Sequence, residues 1–593
     1  MKTLREFGRM PIALTGPALA ILLVVLGIPI VQLLLTSFNA PAFSTANYKA
    51  FFGQQANVRV LFQTIEISVV ATAISLVVGY PTAYLIVAAS KRLRIALIVF
   101  ILVPYLTSGL VRTYAWVVIL GDRGLINSLL IDHGLISSPL LLIYNRMAVY
   151  IGMVHIMLPM MILPLISVMM GIDKSLMAAA RSMGARPSTA FWRVFFPLSM
   201  PGVRSGCLLV FVVCLGFYIT PAALGGLGDA MLSTFIAAQV RSSFNMAHVA
   251  TSAFVLLAVA IVVLSLVGLD LSGTQGRTTQ QALKPWRGLS PSLGAMKCYL
   301  SEFFISYRAK RWMAQLYRTG GNSRRPQIVG AVFLALVMCY LLFPELVVVI
   351  MSFSGGRYLE FPPLSFSLQW YRSFFADPSW YGAAWISVKI AVMVVILSTT
   401  TGTLAAFGLN RTLPRLRSFL TMAMLTPITF PVIVVGIATY LGLVKLGLLD
   451  SMTGTVLAHT LGAIGYVVVI VSASLANFDP QLEQAAMSMR AGPLQTFIRV
   501  TLPLIRPGII AGAVFAFLHS FDEVVITSLV GGMSMRTLPL KMWEDIRHQI
   551  DPTIAAVATL VTLLPLFMLM ILFVAGWRST LGLQRARPAV RGE

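Results

Sequence analysis

LMAAARSMGARPSTAFWRVFFPLSMPG, residues 176–202, returns as LEQAAMSMRAGPLQTFIRVTLPLIRPG at residues 482–508. Aligned without a gap, 306 positions apart, 14 of the 27 positions are identical, and Ala179/Ala485, Ala180/Ala486, Pro187/Pro493, Arg193/Arg499, Pro197/Pro503 and Gly202/Gly508 are among them. Each copy reads as a short helix with a small-residue face, a turn, and a second short helix. The turns are Gly184-Ala185-Arg186-Pro187 and Arg490-Ala491-Gly492-Pro493. The proline pairs Pro197/Pro201 and Pro503/Pro507 are expected to stop the second helix before the next apolar run. A face of alanines lets another surface approach closely. A polar element repeated inside an apolar chain implies one task done twice at a membrane surface. The plainer alternative is an ordinary loop kept by duplication, but this loop repeats better than most of the runs around it.

The surroundings of the loop are those of a membrane protein. Of 593 residues, 58% are hydrophobic and 11% charged, with mean hydropathy +0.86; soluble domains carry roughly 25% charged residues. Apolar runs fall near 12–35, 61–89, 95–120, 147–170, 205–224 and 247–269, then near 328–351, 384–409, 418–446, 455–476, 509–531 and 553–577. Each is long enough to cross a bilayer as a helix that satisfies its own backbone. The fold class is therefore all-α integral membrane, with about twelve transmembrane helices. The basic N-terminal start, MKTLREFGRM, lacks a clear cleavage site, so the first run is expected to be a retained span.

The net charge of +24 reports orientation rather than nucleic acid. Of 44 Lys and Arg, 31 fall in the N-tail, the C-tail, the central linker and the loops on one side. That side is then cytoplasmic, both termini included. No stripe of interleaved basic and aromatic residues suggests a nucleic-acid path. The four cysteines (207, 214, 298 and 339) have neither a pairing pattern nor a CxxC spacing, so no disulfide framework and no metal site is indicated.

The repeat extends beyond the loop. FSTANYKAFF (43–52) matches FSLQWYRSFF (366–375) at an offset of 323, which Gly79/Gly402 and Pro104/Pro427 keep. The offset then becomes 306, so the first half carries about 17 extra residues between 128 and 176. Six spans per half make the copies parallel. The expected domains are 1–269, a basic cytoplasmic linker at 270–327, and 328–593. Inside the linker, Met296, Tyr299, Leu300, Phe303, Phe304 and Tyr307 have helical spacing. That pattern suits either an interfacial amphipathic helix or a simple tether whose charge hugs anionic lipid.

The repeated loop resembles the EAA loop of ABC-importer permeases: Glu-Ala-Ala, three residues, Gly, nine residues, Ile-x-Leu-Pro. The matching positions are Ala178, Ala179, Ala180, Gly184 and Pro197 in the first copy. In the second they are Gln484, Ala485, Ala486, Arg490 and Pro503, with Glu483 adjacent. The family's Glu and one of its two Gly are thus replaced, which bears on how each half grips its partner. LVRTYAWVVILGDRGLINSLL (110–130), GFYITPAALGG (216–226), FDEVVITSLVGG (521–532) and TLPLKMWEDIRHQIDPT (537–553) resemble the spermidine/putrescine-type permease branch. The whole chain is similar to two such permeases fused in order.

The resemblance implies two type I ABC-importer permease repeats in a bacterial inner membrane. Two ATP-binding cassette subunits would dock on the loops, and a periplasmic solute-binding protein would deliver the solute. No GxxxxGK[ST] motif occurs, so the chain is expected to be no enzyme and to bind no cofactor, ATP being used by the partner. The solute expected is a small polyamine-like cation. Fused permeases also serve 2-aminoethylphosphonate, ferric iron and thiamine, which stay open as alternatives. A secondary transporter of the major facilitator kind is the rival class; its motif after the second span is not met by KRLR (91–94), and it has no use for a doubled loop.

Charge inside a membrane is costly and marks a candidate site. Asp522 and Glu523 lead, because their repeat partners are Gly216 and Phe217. Glu345 is a weaker candidate. Glu66 and Lys389 are repeat partners of opposite charge, either paired across the halves or placed at the outer surface. Arg112 is expected to snorkel from a span end. Tyr114, Trp116, Tyr218 and Trp543 could stack on ammonium groups, or pack. The segment around Trp543, Glu544, Asp545 and Asp551 is expected to face the periplasm, lining the entrance or meeting the binding protein. His155 and His459 read as packing or cavity residues.

Overall fold

The structure is a computed structural model that describes residues 10–39, 41–242, 245–267, 324–356, 361–532, 534–548 and 552–585. Residues 270–323 of the linker, with the helical pattern at 296–307, lie outside them, as does Asp551, while 324–327 open the first helix of the second half. Ten principal helices per half carry the fold. In the first half they are α1 Gly16–Ser37, α2 Gln55–Ala88, α3 Lys91–Leu106, α4 Gly109–Leu120, α5 Arg146–Met170, α6 Lys174–Ser182, α7 Pro187–Leu215, α8 Ile219–Leu224, α9 Leu232–Ser242 and α10 Met246–Val267. Their counterparts are α11 Arg324–Ser352, α12 Pro378–Asn410, α13 Pro414–Thr429, α14 Val432–Leu446, α15 Met452–Ala476, α16 Gln481–Ser488, α17 Pro493–Phe521, α18 Val525–Val530, α19 Leu538–His548 and α20 Thr553–Arg585. Among the described residues the only β pairing is an isolated bridge between Ser354 and Phe366.

Among the described residues, ten helical segments are long and apolar enough to cross a membrane, α4 only when taken with the short helix after it as Gly109–Asp132, and an eleventh crossing arises if α13 and α14 count as one broken span, bent by 99°. The twelve straight runs expected from hydropathy are thus broken in places, at matching points in both halves. The run 95–120 splits into α3 and α4 at Thr107-Ser108, and 418–446 splits into α13 and α14 at Phe430-Pro431. Pro431 disfavours helical geometry at Phe430, and Ser108 caps α4 by accepting from Leu110 N–H. The runs 205–224 and 509–531 break at 216–218 and 522–524. Hydropathy cannot see such breaks, because the residues on either side stay apolar.

The loop prolines behave differently from expectation. They do not stop the second helix; α7 and α17 run through them into the membrane. Each contains a π-helical turn, Phe191–Phe195 or Phe497–Thr501, immediately before the proline-bearing stretch. A proline clashes with the carbonyl four residues earlier. For Pro197 and Pro503 those carbonyls belong to Arg193 and Arg499, inside the π turns. The wider turn moves them aside, so the helix bends instead of ending.

Within each half, α2, α5 and α7, or α12, α15 and α17, form the central packing unit. The first helices are exchanged. α1 packs on α12, α14 and α15 of the second half, and α11 packs on α2, α3 and α4 of the first. The α1–α14 crossing is close: a Cβ on Gly442 would lie 2.6 Å from Pro29 Cγ.

Candidate functional site

Two features stand out, a cavity between the halves and the doubled loop. The cavity, about 440 Å³, is lined by α4 and the α3–α4 break, by the breaks after α7 and α17, and by α15. Asp522 and Glu523 sit at the break after α17, where Gly216 and Phe217 stand in the other half. Both carboxylates line the cavity. Among the described residues, Arg112 is the only guanidinium or ammonium group to do so; Tyr105, Tyr218 and Tyr466 add phenol rings.

Neither carboxylate is idle. Asp522 accepts from the Ser108 hydroxyl and from Gly109 N–H at 3.3 Å, so it caps the start of α4 in the opposite half. Glu523 accepts from Ile526 N–H at 2.9 Å, holding the first turn of α18. Adjacent acids thus divide their work: one ties the halves together, the other fixes its own loop beside the cavity.

Arg112 does not snorkel. It is 6% exposed and donates to the Ile156 carbonyl at 3.3 Å, within electrostatic reach of Glu345 and Asp522. The α3–α4 break turns α4 inward, and the acids around the guanidinium replace the water it would otherwise seek. Glu345 accepts from Thr107 Oγ1 at 2.7 Å and is not among the residues lining the cavity. It belongs to a buried inter-half charge cluster beside the cavity.

Trp543 is 1% exposed and packs edge-on against Tyr218, centroids 5.6 Å apart. It supports the cavity wall from behind instead of lining an entrance. Tyr114 and Trp116 are buried in the core, Trp116 against His155 and Tyr340. His155 meets the Leu341 carbonyl at 3.2 Å, and His459 is held between Ser520 and Thr527 at 2.9 Å each. Glu66 does not meet Lys389. It pairs with Arg146 at 3.2 Å, which also holds Asp229 at 3.0 Å, while Lys389 lies over the Trp385 ring. Sequence reasoning missed Ser108, Tyr466 and His519, all three of which line the cavity. Only Ser108 carried a signal, as a capping residue ahead of Gly109.

The doubled loop forms as a short helix, a turn and the start of a span in each half. Asp173 caps α6 by accepting from Ser175 N–H at 2.8 Å, which holds its carboxyl below the usual carboxylate range. Ala180 and Ala486 face inward, while Ala178, Ala179, Gln484 and Ala485 lie on the partly or fully exposed side of their helices. Met183 and Met489 are exposed at the turns. Gly184 has φ +85°, and Arg490 takes the same left-handed turn at φ +65°. Loss of the glycine therefore preserves the shape at some backbone cost. Glu483, beside Gln484, is partly buried. It turns toward the membrane part, pairing with Arg411 and accepting from Thr501 Oγ1.

Two parallel helical repeats, each with a polar loop at the base of a span and an inter-half cavity between them, define a membrane permease with both halves on one chain. The sequence agrees: residues 75–272 and 398–577 match the family described as binding-protein-dependent transport system inner membrane component. The chain belongs to that family, as a permease component of an ABC importer. It is 35% identical over 210 residues to the spermidine/putrescine transport system permease protein PotB of Haemophilus influenzae, covering 35% of this chain and 73% of the relative. The PotB of Escherichia coli K12 is 33% identical over 203 residues, 34% of this chain and 74% of the relative. The putrescine transport system permease protein PotI of the same organism is 33% identical over 238 residues, 39% of this chain and 84% of the relative.

Proposed function

We propose that the chain moves a small polyamine-like cation from periplasm to cytoplasm, driven by two ATP-binding cassette subunits docked on α6 and α16 and their turns. A periplasmic solute-binding protein delivers the solute to the opposite face, and both termini lie in the cytoplasm. The observation that carries the substrate reading is the composition of the inter-half cavity: two carboxylates, one guanidinium, one imidazole and three phenol rings. A carboxylate in a low-dielectric space selects for cations, and aromatic faces add to the binding of ammonium groups. The similarity to PotB and PotI supports the same solute class.

The test is uptake of radiolabelled putrescine and spermidine by membrane vesicles holding the chain, its ATPase and its binding protein, with and without ATP. ATP-dependent amine accumulation, reduced at least tenfold by Glu523→Gln, is expected. Glu523 is the better probe, because Asp522 also joins the halves. Uptake of only 2-aminoethylphosphonate, ferric iron or thiamine would overturn the solute, and uptake driven by a proton gradient alone would overturn the importer.

A further inference from the structure

We propose that Arg411 and Thr501 are positioning residues that brace the second docking helix, α16, to its own spans, and that the first, α6, lacks this brace. The two bases of the chain would then transmit ATPase motion unequally. The proposal rests on the docking reading above.

Three segments meet at Glu483. It stands on α16, 14% exposed at its side chain. Arg411, just past the end of α12, donates a guanidinium N–H to one carboxylate oxygen. Thr501, the last residue of the π turn in α17, donates its hydroxyl to the other at 2.5 Å. The Arg411 guanidinium lies 3.5 Å above the Phe407 ring centroid, and Phe407 meets Phe497 of the π turn edge-on at 4.7 Å. A carboxylate held through both oxygens, by a guanidinium that is itself stacked, has a defined orientation. Exposed ion pairs usually contribute little because both partners wander. Here the ring under Arg411 and the second bond to Glu483 restrain both.

The first half cannot build this brace. At the repeat offsets, Ala88 replaces Arg411, Met177 replaces Glu483, Phe195 replaces Thr501, Tyr84 replaces Phe407 and Phe191 replaces Phe497. Charge is exchanged for rings. Tyr84 sits edge-on to Phe191 and Phe195 at 5.4 and 5.2 Å, and Tyr80 bonds Ser199 at 2.8 Å. Those contacts join α2 to α7. The docking helix itself is left with apolar contacts through residues such as Met177 and Ala180. Apolar contact is non-directional, so α6 can slide where α16 must pivot with its spans.

The experiment is hydrogen–deuterium exchange on the purified chain and on its complex with the ATPase, together with uptake per ATP hydrolysed. Arg411→Gln and Thr501→Val are compared with wild type. Loss of a hydrogen bond to a charged group is expected to raise amide exchange across residues 481–489 about tenfold in Arg411→Gln, leaving residues 174–183 unchanged. Uptake per ATP is expected to fall, and Thr501→Ser, which keeps the hydroxyl that Thr501→Val removes, to leave both near wild type. Equal exchange in α6 and α16 that neither variant alters would overturn the brace, as would Thr501→Ser exchanging as fast as Thr501→Val. If Arg411→Gln no longer assembles, exchange on the chain alone still decides. Failure of wild-type ATPase to protect 176–202 and 482–508 would instead sink the docking reading, leaving the brace to stand on the exchange of the free chain.

Discussion

Asp522→Asn tests whether the bond between the halves sets their resting arrangement. The Asp522 carboxylate takes the Ser108 hydroxyl and, at a longer 3.3 Å, the Gly109 N–H, residues more than 400 positions away in the other half. Hydrogen bonds to a charged group contribute about 1.5–3 kcal/mol each. Asparagine keeps one acceptor oxygen in place but loses the charge, so about 1.5 kcal/mol of inter-half attraction is expected to go. If the halves part here when they rock, the ratio of rearranged to resting molecules rises about tenfold. Spin labels on Met183→Cys and Met489→Cys, exposed on the two loops, report that ratio by electron–electron distance measurement in the assembled transporter during turnover. Ser108→Ala removes the same bond together with the cap on Leu110 N–H, so the double variant is expected to shift the ratio little more than Ser108→Ala alone. A ratio within twofold of wild type in Asp522→Asn, or additive effects in the pair, would refute the reasoning.

Three further outcomes follow from the geometry. Arg490→Gly relieves a left-handed backbone and is expected to stabilise the loop by about 1 kcal/mol, while Gly184→Ala costs about 1–2 kcal/mol; local hydrogen exchange reads both. Gly442→Val drives a side chain into Pro29, whose Cγ lies only 2.6 Å from where a Cβ at Gly442 would stand, and is expected to cost about 1–3 kcal/mol, seen as a lower melting temperature by fluorescence-detected size exclusion. His459→Phe leaves the Ser520 and Thr527 hydroxyls without their ring partner and is expected to cost about 1–3 kcal/mol; His459→Gln, which keeps polar atoms near them, is expected to cost less in the same assay.

The parallel repeat, its offsets and the all-helical class were legible because they rest on pattern, and pattern survives without contacts. The doubled loops were legible for the same reason. Asp522 and Glu523 were found because the repeat itself marked them as departures from Gly216 and Phe217. What hid was everything set by the third dimension. Arg112 reads as a span-end arginine until the break at Thr107-Ser108 turns its helix inward. Trp543 reads as an entrance aromatic until Tyr218, from the other half, covers it. The loop prolines read as terminators because no sequence rule announces a π turn ahead of them. Arg411 read only as one of several loop cations, since its partner Glu483 lies 72 residues on.

The exchanged first helices carry a consequence for how the molecule is made. Pro29 finds Gly442 only after 413 more residues have been synthesised. At roughly 5–20 residues per second, that wait is about 20–80 s. Throughout it, α1 has lipid where α12, α14 and α15 will later stand. Assembly of two separate subunits would turn the same wait into a search through the bilayer. Joining the halves makes it an encounter within one molecule, at an effective concentration fixed by the tether. Cutting the chain between the halves is therefore expected to slow assembly, because α1 is then parted from α12, α14 and α15, and α11 from α2, α3 and α4.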